Sequence, residues 1–276
     1  MSQLSPTLPQ NSMHSWHWRS WEGLPYLTCS LLEKWPHGFF TKQFSPQYPA
    51  ELVKVLQPDA GVYRVKQVHG NAVLTPSEIE AAMSSESPPI DELPAADGVL
   101  SDRSKQSVWV CSADCTPVLI ADTHTGQVAA VHAGWRGTAT KIVPNAIARF
   151  VSSGSKLQNL LVAMGPAIAG SVYQLSTHVA AEVGASILPD TYQEDNIEEI
   201  LAAMSQITDS PLSPDAQAGR VRLDVRRVNA IQLQQLGIEP EQIAIAPHCT
   251  YQDPEHFFSY RREHLKKVQW SGILSV

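Results

Sequence analysis

Short unbroken apolar runs alternate with polar, turn-forming stretches along this chain. The clearest instance is VCSADCTPVLIADTHTGQVAAVHAGWRGT, residues 110–138. Two runs within it, 118–121 and 128–131, have the character of buried strands. Between them Asp122-Thr123-His124-Thr125-Gly126 is a polar turn closed by glycine, which predicts a hairpin. Antiparallel pairing through that turn brings Cys115 and His132 to the same end of a sheet. Further strands are predicted over 26–31, 38–41, 62–68, 107–111, 159–164, 221–223, 243–246 and 268–273, with a turn at Asp97-Gly98 leading into another. Apolar positions at helical spacing predict helices over 138–152, 176–187, 196–207 and 225–236, and a shorter one over 50–56. Pro144 lies inside the first of these and is tolerated only in a first turn, which argues for a start later than Thr138. Residues 75–94 and 210–218 read as polar loops, the former with one helical turn. Strands and helices follow neither a βαβ rhythm nor a repeat, so the pattern predicts α+β architecture in a single domain with mixed β-sheets and helices outside. Residues 1–22 are set apart as a loose N-terminal arm, Ser/Pro/Gln-rich over 1–15, with Trp16, Trp18 and Trp21 packing on a core edge. Residues 23–276 form the domain.

Composition narrows the function classes. With 276 residues, 43% hydrophobic and 17% charged, the chain can bury a large core. A net charge of −7, with its few basic pairs scattered among acids, excludes the basic footprint of a nucleic-acid binder. Four cysteines (Cys29, Cys111, Cys115, Cys249) are too few for a disulfide framework at this length and fit a reducing compartment. No apolar run reaches the ~20 residues that span a bilayer. The start lacks a charged and then apolar leader. A cytoplasmic protein acting without membrane or nucleic acid is expected.

The candidate chemistry rests on three residues together. Taken singly, His69 after the strand 62–68 is a polar surface group, Cys115 a small buried hydrophobe, and His132 a core histidine bonded to backbone. All three sit at ends of predicted strands beside Gly or Pro turns. Two imidazoles and a thiolate are the number of ligands a catalytic zinc site uses while keeping a fourth position for water. Cys115 and His132 alone also suit a nucleophile and its base. Cys111 is a candidate fourth ligand that would close the site, but it falls inside the strand 107–111, and Cys-x3-Cys is not a tight zinc knuckle. His248 and Cys249 end another strand and either pack beneath the site or join it. Asp114 either caps the turn or carries protons. Arg136, within Gly134-Trp135-Arg136-Gly137 ahead of a helix, suits an anion. Ten histidines without a His-x-His repeat support one metal, not a copper cluster.

The segments KQVHG, ADGVLSD, SADCTPVLIAD, VAAVHAGWRGT, GPAI and FFSYRR, in this order, resemble the laccase-domain family, also called multicopper polyphenol oxidase, peptidoglycan editing factor and purine nucleoside phosphorylase. The resemblance runs from about Gly38 to the C-terminus and is strongest from Val65 to Thr138. It implies a four-layer α/β sandwich and one zinc on His69, Cys115 and His132, with copper as another loading. It also implies phosphorolysis of adenosine, inosine, guanosine and 5′-methylthioadenosine, deamination of adenosine, and a cytoplasmic monomer. The His-x-Glu…Pro-Cys-x-x-Cys signature of zinc deaminases is absent, which makes Asp114 the candidate proton carrier beside Cys115 and His132. Many members carry an arginine in Phe-Thr-Thr-Arg-x-Gly-Gly near their start. Here Lys42 takes its place and the glycines are gone, so a point charge replaces a fork. Arg136, Lys42 and Gln67 are the expected substrate- and phosphate-binding residues. The competing readings are a Cys–His hydrolase acting on a peptidoglycan precursor, a copper-loaded polyphenol oxidase, and a non-catalytic metal module closed by Cys111.

Overall fold

The hairpin lies in the middle of a six-stranded sheet in the computed structural model, which describes residues 14–83, 92–189, 192 and 196–276. With strands numbered in chain order, this sheet runs β14 (Ile243–Ile245), β10 (Leu160–Met164), β8 (Thr116–Asp122), β9 (Val128–Ala133), β6 (Gly98–Leu100), β5 (Val73–Leu74). A second six-stranded sheet runs β1 (Trp16–Trp21), β2 (Leu24–Cys29), β3 (His37–Phe40), β15 (Gln269–Leu274), β7 (Gln106–Ser112), β4 (Gly61–Tyr63). A small third sheet runs β11 (Gln174–Ser176), β13 (Arg220–Leu223), β12 (Leu212–Pro214).

The unbroken apolar runs are explained by burial on both faces. On one face of the hairpin Leu119, Ala121, Val128 and Ala130 meet Leu27, Phe39, Val108, Val110 and Ile273 of the second sheet. On the other face Val118, Ile120, Ala129 and Val131 meet α4 (Ile142–Ser152) and, through Ala230 and Leu233, α7 (Val225–Gln235). The outer face of the second sheet is covered by α1 (Pro49–Leu56), whose Leu52 and Val53 pack on Phe40, Trp109 and Trp270. Helix, sheet, sheet, helix make the four layers that the family resemblance implied. The third sheet, with α5 (Thr177–Ala185) and α6 (Ile197–Ser205), builds its own apolar cluster at one side. Within the hairpin turn, the Asp122 carboxylate accepts from the His124 and Thr125 N–H groups, and Gly126 closes it at φ +76, where a side chain is strained.

Several expected elements change. The helix over 138–152 is two: α3 (Trp135–Ala139) is little more than a turn, Lys141 breaks the path at φ +60, and Pro144 falls in the first turn of α4, where its missing N–H costs nothing. The strand over 62–68 stops at Tyr63, and the chain to Gly70 is a loop. In the polar stretch 75–94, α2 (Pro76–Ala82) forms on a capping box between Thr75 and Glu78; residues 84–91 lie outside the described residues. Part of the expected N-terminal arm is sheet. Residues 1–13 are not described, but β1 pairs with β2 from Trp16↔Cys29 to Trp21↔Leu24, so 16–21 is sheet. Its tryptophans divide: Trp16 packs on Phe39 at 5.4 Å, while Trp18 and Trp21 are exposed. The loop over 210–218 contains β12.

Leu119 and Ile120 are both fully buried, on opposite faces of β8. Leu119→Ala and Ile120→Ala should therefore each cost about 2–5 kcal/mol in urea unfolding. A near-neutral result for either would mean that β8 is covered on one face only.

Candidate metal centre

Register decides where the chemistry emerges. Along β9, Val128 and Ala130 face the second sheet, so His132 faces the same gap at the strand's end. Thr116 pairs with Ala133, which sets Cys115 opposite Gly134. The backbone approaches so closely there that a Cβ on Gly134 would lie 2.8 Å from the Cys115 sulfur. Cys115 and His132 thus meet at one end of the hairpin, as its pairing predicted.

His69 arrives from a loop and not from a strand end, and one side chain puts it there. Asp97, which immediately precedes β6, is fully buried. Its carboxylate accepts from three successive backbone N–H groups, Val68 at 3.1 Å, His69 at 2.9 Å and Gly70 at 2.7 Å. This nest holds His69 at φ +60, a left-handed conformation unusual for a residue with a side chain. Because β6 pairs with β9, Asp97 also reaches His132. The His132 backbone N–H donates to the Asp97 carbonyl at 2.7 Å, and Nδ1 lies 2.9 Å from the Asp97 carboxylate. A proton on Nδ1 directed at that carboxylate leaves Nε2 as the ligand atom.

The ligand atoms of His69, Cys115 and His132 lie within 4.8 Å of one another, and among the described residues this is the only such cluster. The two imidazoles meet edge to face with centroids 4.9 Å apart. His132 is buried, Cys115 half-buried and His69 exposed, so the cluster is closed behind and open in front. Burial pushes the Cys115 thiol up, but the facing His132 and then His69 more than reverse this and bring it down to about 6. Burial pushes His132 down, but the Cys115 thiolate and the Asp97 carboxylate raise it to about 9. Without a metal these shifts favour a thiolate beside an imidazolium between about pH 6 and about pH 9. Two imidazole nitrogens and a thiolate are a donor set that suits zinc.

The family described as "Multi-copper polyphenol oxidoreductase laccase" matches residues 49–272. The chain belongs to that family. It is 52% identical, over 94% of its length and 97% of the other, to a Synechocystis protein named "Purine nucleoside phosphorylase slr1573". It is 32% identical to the Corynebacterium glutamicum "Purine nucleoside phosphorylase Cgl2154/cg2365", over 75% of this chain and 71% of that one. In fold it is similar to YlmD from Geobacillus stearothermophilus (TM-score 0.76, 20% identity, 94% of this chain and 98% of that one). It is likewise similar to Bacillus licheniformis YfiH (TM-score 0.75, 24% identity, 91% and 96%).

Against the expectations for this family, the remaining residues sort by what they touch. Cys111 is on the Trp109 face of β7, toward α1 and away from the gap, and burial pushes its thiol up to about 12. It is outside the cluster, which therefore keeps three ligands. Gln67, expected at substrate, spends both ends of its amide on the Cys111 backbone, donating to the carbonyl and accepting from the N–H at 2.8 Å each. Lys42, expected at phosphate, donates its ammonium to the Pro254 carbonyl and its backbone N–H to His256. Asp114, expected to carry protons, is a tie instead. One oxygen accepts from the Thr250 hydroxyl and the other from the Arg261 N–H, both at 2.7 Å, with the backbone at φ +91. His248 lies edge-on to Trp18 at 5.2 Å, and the Cys249 sulfur accepts from the Ala169 N–H; neither belongs to the cluster. Arg136 is exposed, with its guanidinium 4.4 Å over the Trp135 ring. Asp97 is the residue behind the cluster that sequence reasoning missed. Its signal was an Asp-Gly pair opening a buried strand, read only as a turn.

Asp97→Asn replaces an acceptor oxygen with a donor facing backbone donors. Zinc affinity, measured by chelator competition, should fall about 10- to 100-fold while far-UV circular dichroism is retained. An unchanged affinity would show that Asp97 does not position the ligands.

The metal-free pair shares one proton between about pH 6 and about pH 9. Binding must expel it, so zinc affinity should rise about tenfold per pH unit across that window, steepen below it and level off above it. Zinc titrated into weakly buffered protein with a pH indicator should release about one proton per metal near the middle of the window. Release of none would mean that the thiol and imidazole are not both ligands.

Proposed function

We propose that this chain is a zinc-dependent purine nucleoside phosphorylase. Its substrates would be adenosine, inosine, guanosine and 5′-methylthioadenosine, with adenosine deamination as a second activity, in a cytoplasmic monomer. The observation that carries the reading is an N₂S ligand cluster closed behind by Asp97 and open in front, in a chain 52% identical to a protein named purine nucleoside phosphorylase. The four cysteines are all free thiols, and among the described residues no helix is long and apolar enough to cross a membrane.

His69, Cys115 and His132 would hold the ion, which supplies Lewis acidity toward an oxygen of substrate or water. The residues around it do the rest. Arg136, with no hydrogen bond from its guanidinium to any described residue, is available to hold phosphate as a planar fork of donors. A phosphate oxygen then forms a bond to C1′ of the ribose while the C1′–N9 bond breaks. The purine leaves with the electron pair and takes up the proton that the phosphate gives up, so the products are ribose 1-phosphate and the free base. Asp114 supports this by fixing the turn into Cys115, not by moving protons. α3 is too short to contribute a helix-dipole site, so the anion role falls on the Arg136 side chain.

One observation favours a second reading. A thiolate at about 6 beside a charged imidazole is also the resting state of a cysteine hydrolase. Chelation separates the two, since a Cys–His hydrolase survives metal removal. Metal analysis in the same experiment decides between zinc and copper loading.

Inosine incubated with the metal-loaded protein should yield hypoxanthine and ribose 1-phosphate only when phosphate is present. Arg136→Ala should reduce phosphorolysis about 10- to 150-fold, the loss of a charge-assisted contact of about 1.5–3 kcal/mol, and leave deamination of adenosine nearly intact. No release with or without phosphate would overturn the phosphorylase reading. Equal losses in both activities would remove Arg136 from the phosphate.

A further inference from the structure

Asp114 gathers more than the turn into Cys115. Its carbonyl accepts from the Ile168 N–H at 3.0 Å, which begins the loop leading to Tyr173. Its carboxylate accepts from the backbone of Arg261, in the four-residue helix α8 (Tyr260–Glu263). Two chain segments distant in sequence are thereby pinned beside a metal ligand. The Arg261 guanidinium lies 4.8 Å over the Tyr173 ring, as Arg136 lies over Trp135, and both rings pack on the same apolar cluster of the third sheet.

The two neighbouring arginines of α8 differ in a way that structure alone shows. Arg262 donates to the carbonyls of Thr250, Tyr251 and Phe257 and pairs with Glu263, so it is spent on holding the segment. Arg261 makes one side-chain hydrogen bond, to the Gln174 carbonyl at 2.9 Å. Neither Arg261 nor Arg136 is in an ion pair among the described residues. The Tyr173 hydroxyl likewise has no hydrogen-bond partner among them. The Tyr173 ring lies under the Arg261 guanidinium, on a loop that Asp114 pins beside Cys115. The hydroxyl keeps its proton and acts as a donor. A stacked guanidinium loses little freedom when it binds, because the ring already fixes its plane.

We propose that Tyr173 and Arg261 complete, with Arg136, a phosphate-binding cradle beside Cys115, in which the hydroxyl donates one hydrogen bond and two unpaired guanidiniums match the charge of a dianion. This rests on the phosphorylase reading and names the residues that would take its co-substrate. The ligand class is inorganic phosphate on entry and the phosphate group of a sugar 1-phosphate on exit.

The test uses the full, metal-loaded chain as wild type, Arg261→Gln, Arg261→Lys and Tyr173→Phe. Inorganic phosphate is titrated calorimetrically into each, and KM for phosphate and for inosine is measured separately. Metal content and melting temperature are recorded as controls. Arg261→Gln should weaken phosphate about 10- to 150-fold and Tyr173→Phe about 2- to 10-fold, with KM for inosine within about twofold of wild type. Arg261→Lys should recover part of the loss. Unchanged phosphate binding in Arg261→Gln, or a rise in KM for inosine instead of phosphate, overturns the cradle and leaves the phosphorylase reading standing. Loss of metal in the variants also overturns it, since the residues would then be structural. If Arg261→Gln does not fold, Tyr173→Phe decides, because it deletes a single oxygen. A wild-type protein that neither binds nor consumes phosphate overturns the underlying reading as well.

Discussion

The candidate centre depends on a buried carboxylate. Asp97 is removed from water entirely, which costs several kcal/mol for a charged group unless its lone pairs are met. They are met by three backbone N–H groups of the His69 loop and by the His132 ring, and these bonds to a charge are the strong kind. The same contacts that offset the burial therefore position two of the three ligands. The carboxylate holds His69 in a left-handed backbone uncommon for a residue with a side chain, and it directs His132 so that Nε2 points away from the protein interior's acid. Gln67 ties the middle of the same loop to the Cys111 backbone, and Asp97 fixes its His69 end.

The third ligand is placed by a different constraint, the close approach of two strands. Cys115 stands opposite Gly134, and only a residue without Cβ leaves room for its sulfur. The double-sided burial of β8 and β9 makes that juxtaposition rigid, because a shift of one residue would turn every apolar side chain of the hairpin to the wrong layer. Sulfur and imidazole are then forced together at the end of the hairpin. There the shared proton settles on His132 in the absence of a metal and must leave when one binds.

Around this rigid inner half, the outer wall is made of loops and the third sheet. Trp135 and Tyr173 anchor it to an apolar cluster, and Arg136 and Arg261 lie on their faces. Under the proposed function, the sheet-bound inner half would hold the metal and the outer wall of loops would meet the substrate. Gln67 has both polar atoms of its amide on the Cys111 backbone, and the Lys42 ammonium donates to the Pro254 carbonyl.

Much of this could be read in the chain before folding was considered. The apolar runs at 118–121 and 128–131 with Asp122–Gly126 between them determined a hairpin, and its pairing put Cys115 and His132 at one end. Turn chemistry, buried strands and helical spacing are local, and local physics leaves a local trace. Strand ends beside Gly or Pro turns brought His69 into the candidate set, and the family motifs added the four-layer arrangement. Tertiary structure decided the rest, because it concerns pairs distant in sequence. That Asp97 reaches residues 68–70 follows from β6 lying beside β5 and from the Lys66–Ala95 bridge, and that it reaches His132 follows from β6 lying beside β9, whereas the Asp-Gly pair by itself reads as a turn. That Arg261 is available while Arg262 is spent, and that Gln67 and Lys42 bind carbonyls, depends on which backbone atoms lie opposite. A side chain's partners are set by the packing of whole layers, and a polar residue has the same sequence appearance whether it holds a substrate or a strand.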